Sequence, residues 1–144
     1  MTLSEVIEEV KEKKPSTFKD EDLLKYLNEL EGMIQVEVMG VDPYHIKPEP
    51  IFDEEGNEIP VIQEETTEPY YIQYTLEKDK NTILLVPSPF ESLYMLYLYA
   101  QIDFYNKEFT AYNNSLSAFK GKYDDFVAWY NNKETKDLTF SNYF

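Results

Sequence analysis

Residues able to do chemistry are few in this chain. The only histidine is His45, in the proline-rich segment DPYHIKP, and cysteine is absent. Without cysteine, disulfides, thiolate nucleophiles and cysteine-ligated metal sites are excluded. A serine triad would have to be built around one histidine on a loop. A hydrolase or metal enzyme that combines His45 with loop carboxylates is therefore the third of three functional hypotheses.

Oxygen-bearing side chains in the same loop resemble part of a calcium-binding pattern. Asp53, Glu55, Asn57 and Glu64 occupy its first, third, fifth and twelfth positions. The sixth position requires glycine for a sharp turn, but this chain has Glu58 there, and no strong helices flank the segment. We therefore predict no specific metal site and no cofactor. The loop acids are expected to be solvated rather than held against apolar walls that would raise a pKa.

Helices supply most of the elements around this loop. Thr2 and Glu5 fit a capping box, and the following apolar residues keep helical spacing until Pro15. A second helix begins in KDED and extends toward Gly40, although its last residues, IQVEVM, alternate like a strand. A third helix starts near Ser88 or Pro89 and covers LYMLYLYAQIDFY, after which residues 106–107 form a tight turn or a kink.

A fourth helix is predicted from bulky side chains that recur every three or four residues. They are Phe109, Tyr112, Leu116, Phe119, Tyr123, Phe126 and Tyr130. This spacing places all seven on one stripe of a helix. A coiled coil between chains would favour Leu, Ile and Val, whereas aromatic residues suit an irregular core within one subunit. We therefore expect the stripe to be buried against the third helix.

The segment between helices 2 and 3, residues 41–80, is rich in proline and acids, which is typical of a solvated loop. From Asp42 to Glu68, nine acidic residues accompany one lysine. A hairpin is predicted in IFDEEGNEIPVI, and a second candidate pairs YYIQYTL with TILLV. The sequence therefore predicts a mainly α fold: about four helices in a compact bundle, with a long acidic loop containing a small β-hairpin between helices 2 and 3.

The domain prediction is a single helical domain at residues 1–132, with 41–80 as an excursion, followed by a C-terminal tail at 133–144. The tail has an unusual density of apolar residues for a chain end, so it either folds back on its own domain or inserts into a partner. The predicted partner-binding residues are Leu138, Phe140, Tyr143 and Phe144.

Charge and hydropathy exclude further classes. The 144-residue chain has 28 acidic and 13 basic residues, a net charge of −15 that disfavours binding to phosphate backbones. The first residues do not look like a secretory signal, and the longest apolar run, LYMLYLYA, is shorter than the roughly 20 residues that span a membrane. We expect an intracellular protein at synthesis, without a membrane partner.

Three segments, LLVPSPFESLYMLY, DFYNKEFTAYNNSLSAF and YDDFVAWYN, together with LSEVIEEVKEKKPSTF, resemble head-to-tail connector, or adaptor, proteins of tailed bacteriophages and prophages of Gram-positive bacteria. The resemblance implies a structural virion protein without enzymatic activity. It implies a homo-oligomeric ring beneath the portal protein, with tail or head-completion proteins docked below and DNA passing without specific binding. The implied locations are the virion and, during assembly, the host cytoplasm. For the isolated chain, a monomer and an oligomer both stay open.

The acidic loop supports the second hypothesis, a small regulatory or inhibitor module that mimics DNA. Such a protein would bind a basic partner through loop carboxylates, among them Glu54, Glu55, Glu64 and Glu65. Salt-sensitive binding to a basic DNA-binding enzyme would favour this hypothesis over the connector.

Overall fold

The helices and strands follow one another with long irregular segments between them. A computed structural model describes residues 1–60 and 68–142; of residues 134–142 it gives the backbone alone. The elements are α1 (Leu3–Lys13), α2 (Asp20–Met33), a π-helical turn (Ile34–Val38), β1 (Ile51–Phe52), β2 (Glu58–Ile59), α3 (Ser92–Tyr105) and α4 (Phe109–Asn142). The predicted fold class is confirmed: mainly α, with a small β-hairpin between helices 2 and 3.

The chain divides into two compact units. Unit 1 comprises Met1–Glu31 and Tyr74–Phe144, and unit 2 comprises Gly32–Gln73. The predicted excursion at residues 41–80 thus differs from unit 2 at both ends, because unit 2 includes the last two residues of α2 and the π-helical turn and leaves out the segment from Tyr74 onward.

The N–H groups of the first turn of α1, which have no partner within the helix, are hydrogen-bonded by other groups. The Thr2 hydroxyl accepts from the Glu5 N–H at 3.2 Å, and the Glu5 carboxylate accepts from the Thr2 N–H, so the predicted capping box is confirmed. The N–H groups of Leu3 and Ser4 donate to the carbonyls of Thr82 and Lys80, each at 3.0 Å. The extended segment before α3 therefore fixes where α1 starts.

The core of unit 1 is formed by apolar faces of its helices and by the segment that precedes α3. The larger fully buried side chains are Leu3, Val6, Val10, Leu23, Leu27, Leu30, Val86, Leu93, Tyr94, Leu98, Ile102 and Phe126. Their spacing of three and four residues on each helix is what lets one face meet the core. Burial of this kind contributes about 1.5–3 kcal/mol for each large side chain.

Helices α3 and α4 form an antiparallel hairpin. Lys107, at φ 59°, makes the left-handed turn between them, and the Glu108 N–H donates to the Asp103 carbonyl at 2.9 Å. Of the two predicted alternatives at residues 106–107, the tight turn is therefore confirmed. Ring contacts follow the hairpin in opposite chain directions, from Phe104–Tyr112 near the turn to Phe90–Phe126 at the other end.

In unit 2, the uncertain end of the second helix is a π-helical turn rather than a strand. The Met39 N–H donates to the Ile34 carbonyl at 3.1 Å, five residues back. The Gln35 side-chain amide donates to the Ile72 carbonyl at 2.9 Å and accepts from the Ile72 N–H at 2.7 Å. Gln35 thus holds an extended strand-like segment by both of its backbone groups.

Gly32 lets the Tyr71 side chain lie close against its backbone. A Cβ at this position would overlap the Tyr71 hydroxyl. Any side chain here would push Tyr71 away from α2, and Tyr71 is also fixed by its N–H bond to the His45 carbonyl at 2.8 Å.

The single described sheet is the hairpin of β1 and β2, in which Ile51 lies opposite Ile59. The second hairpin candidate is wrong within the described residues. Tyr71 instead bridges Ile46, and Ile83 bridges Thr2. The reason is physical: each segment finds a backbone partner elsewhere, so the two do not pair with each other.

Candidate interaction surfaces

A group of exposed rings lies at the turn between α3 and α4. Phe104 is 57% exposed, Tyr105 64% and Phe109 56%. We call these three residues the turn-end aromatic surface. Half-buried rings adjoin it: Phe18 meets Tyr105 at 5.2 Å between centroids, and Tyr112 meets Phe104 at 5.3 Å. Exposed apolar residues are ordinary one at a time, but a contiguous group marks a candidate contact surface.

The bulky stripe of α4 is buried only in part. Phe119 and Phe126 are buried, Phe109 is exposed, and the other four side chains are half-buried. The prediction that all seven are enclosed is therefore wrong at its N-terminal end. Phe109 does meet the ring of Phe104 on α3, at 6.3 Å between centroids, but Phe104 is itself exposed at this end of the hairpin, so the contact does not enclose Phe109.

A second aromatic cluster lies at the other end of the hairpin and is packed. Phe126 contacts Phe90 and Trp129, with ring centroids 6.0 and 6.2 Å apart. The Lys133 ammonium lies 5.4 Å from the centre of the Trp129 ring, a favourable cation–π distance. This cluster fastens α4 to the segment before α3 and leaves less apolar surface open than the turn-end aromatic surface does.

The acidic hairpin of unit 2 is the second candidate surface. We give this name to residues 51–59. Its strand residues Ile51, Phe52, Glu58 and Ile59 are all exposed. The turn is ordered by Asp53, whose Oδ1 accepts from the N–H groups of Glu55 at 3.0 Å and Asn57 at 2.8 Å. Gly56, at φ 84°, takes the left-handed position that this turn requires.

One buried carboxyl group was missed by the sequence reasoning. Glu31 is fully buried, and its Oε1 accepts from the Leu85 N–H at 3.1 Å and from the Tyr94 hydroxyl at 2.9 Å. Burial raises the pKa of Glu31 to about 7, although both hydrogen bonds oppose the rise. The expectation of solvated carboxylates was made for the acids of the loop and did not extend to this position on α2. The sequence spacing could have revealed this burial, because Glu31 follows Leu27 by four residues on the apolar face of α2.

Two tyrosines complete the surroundings of Glu31. The Tyr94 hydroxyl accepts from the Val86 N–H at 2.8 Å, and burial followed by the charge of Glu31 raises the pKa of Tyr94. Burial also raises the pKa of Tyr74, whose hydroxyl has no hydrogen-bond partner among the described residues. All three side chains are buried, so this cluster is part of the core of unit 1.

A buried ion pair joins α1 to α3. The Lys14 ammonium pairs with the fully buried Asp103 carboxylate, and the Ser115 hydroxyl lies 3.4 Å from the other oxygen. The pair fixes the end of α1 against the hairpin, because an uncompensated buried charge would be costly.

Two of the residues considered first for chemistry, His45 and Asp53, contact other residues of unit 2. The His45 ring stacks on Tyr70 at 4.5 Å between centroids. Asp53 is engaged by its own turn, and Glu64 lies outside the described residues. Across the side chains of residues 1–60 and 68–133, no three acidic or histidine residues gather where they could hold a metal ion.

The predicted partner-binding residues fall where little is described. Leu138 and Phe140 lie in α4, of which only the backbone is given there, and Tyr143 and Phe144 lie outside the described residues. Of the predicted tail at residues 133–144, residues 133–142 have a helical backbone, because α4 continues to Asn142. No proline or glycine interrupts residues 133–142, so nothing in this segment forces the helix to end.

Comparison of the chain with protein-family models, curated proteins and solved structures returns no match. The resemblance to phage connectors thus stays a prediction. In the part of the chain that the structure describes, no helix is both long and apolar enough to cross a membrane.

Proposed function

We propose that this protein is a structural subunit of the head-to-tail connector of a tailed bacteriophage or prophage, where it assembles as a ring under the portal. The turn-end aromatic surface is the observation that carries the proposal. Three rings that are more than half exposed cost free energy in a lone subunit. In a closed ring, each copy would cover this surface on its neighbour.

The place of this surface in the sequence supports the same function. Phe104, Tyr105 and Phe109 all lie in DFYNKEFTAYNNSLSAF, one of the segments that resemble connector proteins. The ring contacts within unit 1 bury other rings of that segment but leave these three more than half exposed. Contact with another subunit supplies the remaining reason for aromatic residues at these positions.

The test mixes the full chain with the portal protein encoded in the same genome and measures particle mass and ring formation by native mass spectrometry and electron microscopy. We expect rings with the unchanged chain and none with the double variant Phe104→Ser, Phe109→Ser. Ile83→Ser is the matched control, because Ile83 is 74% exposed but lies outside the surface.

Circular dichroism checks that each variant keeps its helices, which is expected since the changed side chains are exposed. An unchanged chain that stays monomeric and ignores the portal under all conditions overturns the proposal. So does ring formation by the double variant at the level of the Ile83→Ser control.

A second candidate function follows from the charge of unit 2. Between Gly32 and Gln73 the sequence has ten acidic residues and one lysine, a net charge of −9 over that segment. An acidic module that occupies the DNA site of a basic enzyme would have this distribution. Competition between the chain and DNA for such an enzyme, lost in Glu54→Gln, Glu55→Gln, is the expected result; unchanged competition eliminates this candidate.

A further inference from the structure

The acidic hairpin presents apolar side chains to solvent in a regular arrangement. Ile51 and Ile59 are directly opposite each other and share one face, while Phe52 lies opposite Glu58 on the other face. Ile51 is 55% exposed, Phe52 59% and Ile59 42%. Both faces of this small sheet therefore carry a large apolar side chain that water reaches.

The hairpin has a fixed shape but little to stabilise it. Asp53 and Gly56 set the turn, as described above, whereas a two-stranded sheet with open faces is marginally stable in water. A surface that covered both faces would bury Ile51, Phe52 and Ile59 without reordering the turn. Preorganisation of this kind lowers the entropic cost of binding.

The charge of the acidic hairpin indicates which kind of partner can cover it. Glu54 and Glu55 lie at the tip of the hairpin and are exposed, and Glu49 and Glu58 are exposed beside the strands. Another copy of unit 2 would bring a second net charge of −9 against this tip, and like charges brought together weaken association. Nucleic acid is disfavoured for the same reason. A surface bearing lysine or arginine is favoured.

We propose that the acidic hairpin inserts into a cleft of another protein that has apolar walls and a basic floor. The walls cover Ile51 and Ile59 on one side and Phe52 on the other, and the floor pairs with Glu54 and Glu55. This arrangement, an apolar centre with charges at its edge, is that of an ordinary specific protein interface. The inference goes beyond both proposed functions, since it names the contact and the chemistry of the partner and depends on neither.

The experiment uses the full chain and fluorescein-labelled peptides as probes. One peptide alternates lysine with valine, a second alternates lysine with serine, and a third alternates glutamate with valine; binding is followed by anisotropy. We expect the lysine–valine peptide to bind about tenfold more tightly than the lysine–serine peptide, a preference worth about 1.4 kcal/mol. The glutamate–valine peptide should not bind.

Two variants assign the binding to the hairpin. The triple variant Ile51→Ser, Phe52→Ser, Ile59→Ser should abolish the preference for valine, and Glu54→Gln, Glu55→Gln should weaken binding of both lysine peptides and reduce its salt dependence. Ile72→Ser and Glu68→Gln are the matched controls and should change neither, since Ile72 is as exposed as Ile59 and lies outside the hairpin.

Amide shifts in NMR spectra show where the lysine–valine peptide binds, and should be confined to residues 51–59. Equal affinity for the lysine–valine and lysine–serine peptides overturns the inference, as does a preference that survives the triple variant. Dimerisation of the chain through the hairpin, lost in the triple variant, assigns the surface to a second copy and overturns it too. Ring formation with the portal is measured separately, so failure here does not imply failure there.

Discussion

At Glu31, burial and hydrogen bonding act in opposite directions on one carboxyl group. Burial is the larger effect, so the pKa is about 7 in the folded protein, against an ordinary value of 4.5. The folded state therefore holds a proton that the unfolded state has released between these two pH values. The stability that this proton supplies is fully present below about pH 4.5 and is lost as pH rises through 7.

Glu31→Gln should remove this pH dependence. The glutamine oxygen keeps the acceptor for Leu85 and Tyr94 but carries no charge at any pH. We expect the variant to be more stable than the unchanged chain above pH 7, by at most about 3 kcal/mol, with the difference shrinking toward pH 5. Urea unfolding at several pH values, followed by circular dichroism, measures it.

The control for this experiment is Glu29→Gln, an exposed carboxyl group two residues earlier on α2. It should leave the slope of stability against pH close to that of the unchanged chain. Equal slopes in Glu31→Gln and the unchanged chain would show that Glu31 is not the group responsible.

Asn28 also stabilises the folded protein, in this case through hydrogen bonds of an uncharged side chain. Its side-chain amide donates to the Tyr74 carbonyl at 3.0 Å and accepts from the Tyr74 N–H at 2.9 Å. Asn28→Ala should lower the free energy of unfolding by about 1–3 kcal/mol, because both backbone groups lose their partner. It should also speed hydrogen exchange of the Tyr74 amide.

Asn113→Ala is the matched change for Asn28→Ala. Asn113 is exposed on α4, so the change there brings the same gain in helix propensity without loss of a buried bond. A similar stability of the two variants would contradict the assigned role of Asn28.

The capping box of α1 could be predicted because Thr2 and Glu5 are close in the sequence and hydrogen-bond with each other. Asn28, Glu31 and Gln35 could not, because their partners are backbone groups of segments distant in the sequence. Polar residues of an amphipathic helix are usually assigned to its solvent-facing side. Here they satisfy buried backbone groups instead, a role visible only once the extended segments are in place.

At the scale of elements, α4 shows how much its neighbour determines its burial. Helix α3 has 14 residues and α4 has 34, which correspond to lengths of about 21 Å and 51 Å. The period of the stripe predicts which residues share a face. It does not predict that the stripe is exposed where it begins, at the turn end of the hairpin.

Two substitutions on the same stripe should show that residues on one face of a helix can differ in burial. Phe126→Ala should cost about 3–5 kcal/mol of unfolding free energy, because a fully buried ring leaves a cavity. Phe109→Ala should cost less than about 1 kcal/mol, because the ring is exposed. Chemical unfolding of the two variants side by side measures the difference; equal losses would mean that the whole stripe is enclosed.

At the scale of the whole molecule, the net charge of −15 opposes the folded state through repulsion between acids. Raising sodium chloride from low to physiological concentration should therefore raise the Tm by about 4 °C, the change that accompanies about 1 kcal/mol in a domain of this size. Glu54→Gln, Glu55→Gln should show a smaller rise, and thermal circular dichroism measures both. A Tm that falls with added salt would contradict repulsion as the dominant charge effect.

The concentration of acids between helices 2 and 3 could be predicted from composition alone. The division into two units could not, because their boundaries at Glu31 and Tyr74 fall inside a helix and inside an extended segment rather than at a change in composition. The proposed connector function rests on the resemblance and on the turn-end aromatic surface. Neither charge nor periodicity would have selected it.

Trp129 is the only tryptophan of the chain. It lies against Phe126 and Lys133, which are on α4, and against Phe90, which precedes α3. Excitation at the red edge of its absorption band therefore reads out a single position without any label. The emission maximum and fluorescence lifetime of Trp129 depend on its contact with the Lys133 ammonium and with the two phenyl rings. This natural fluorophore reports the anchoring of the C-terminal half of α4 in real time, independently of the thirteen tyrosines elsewhere.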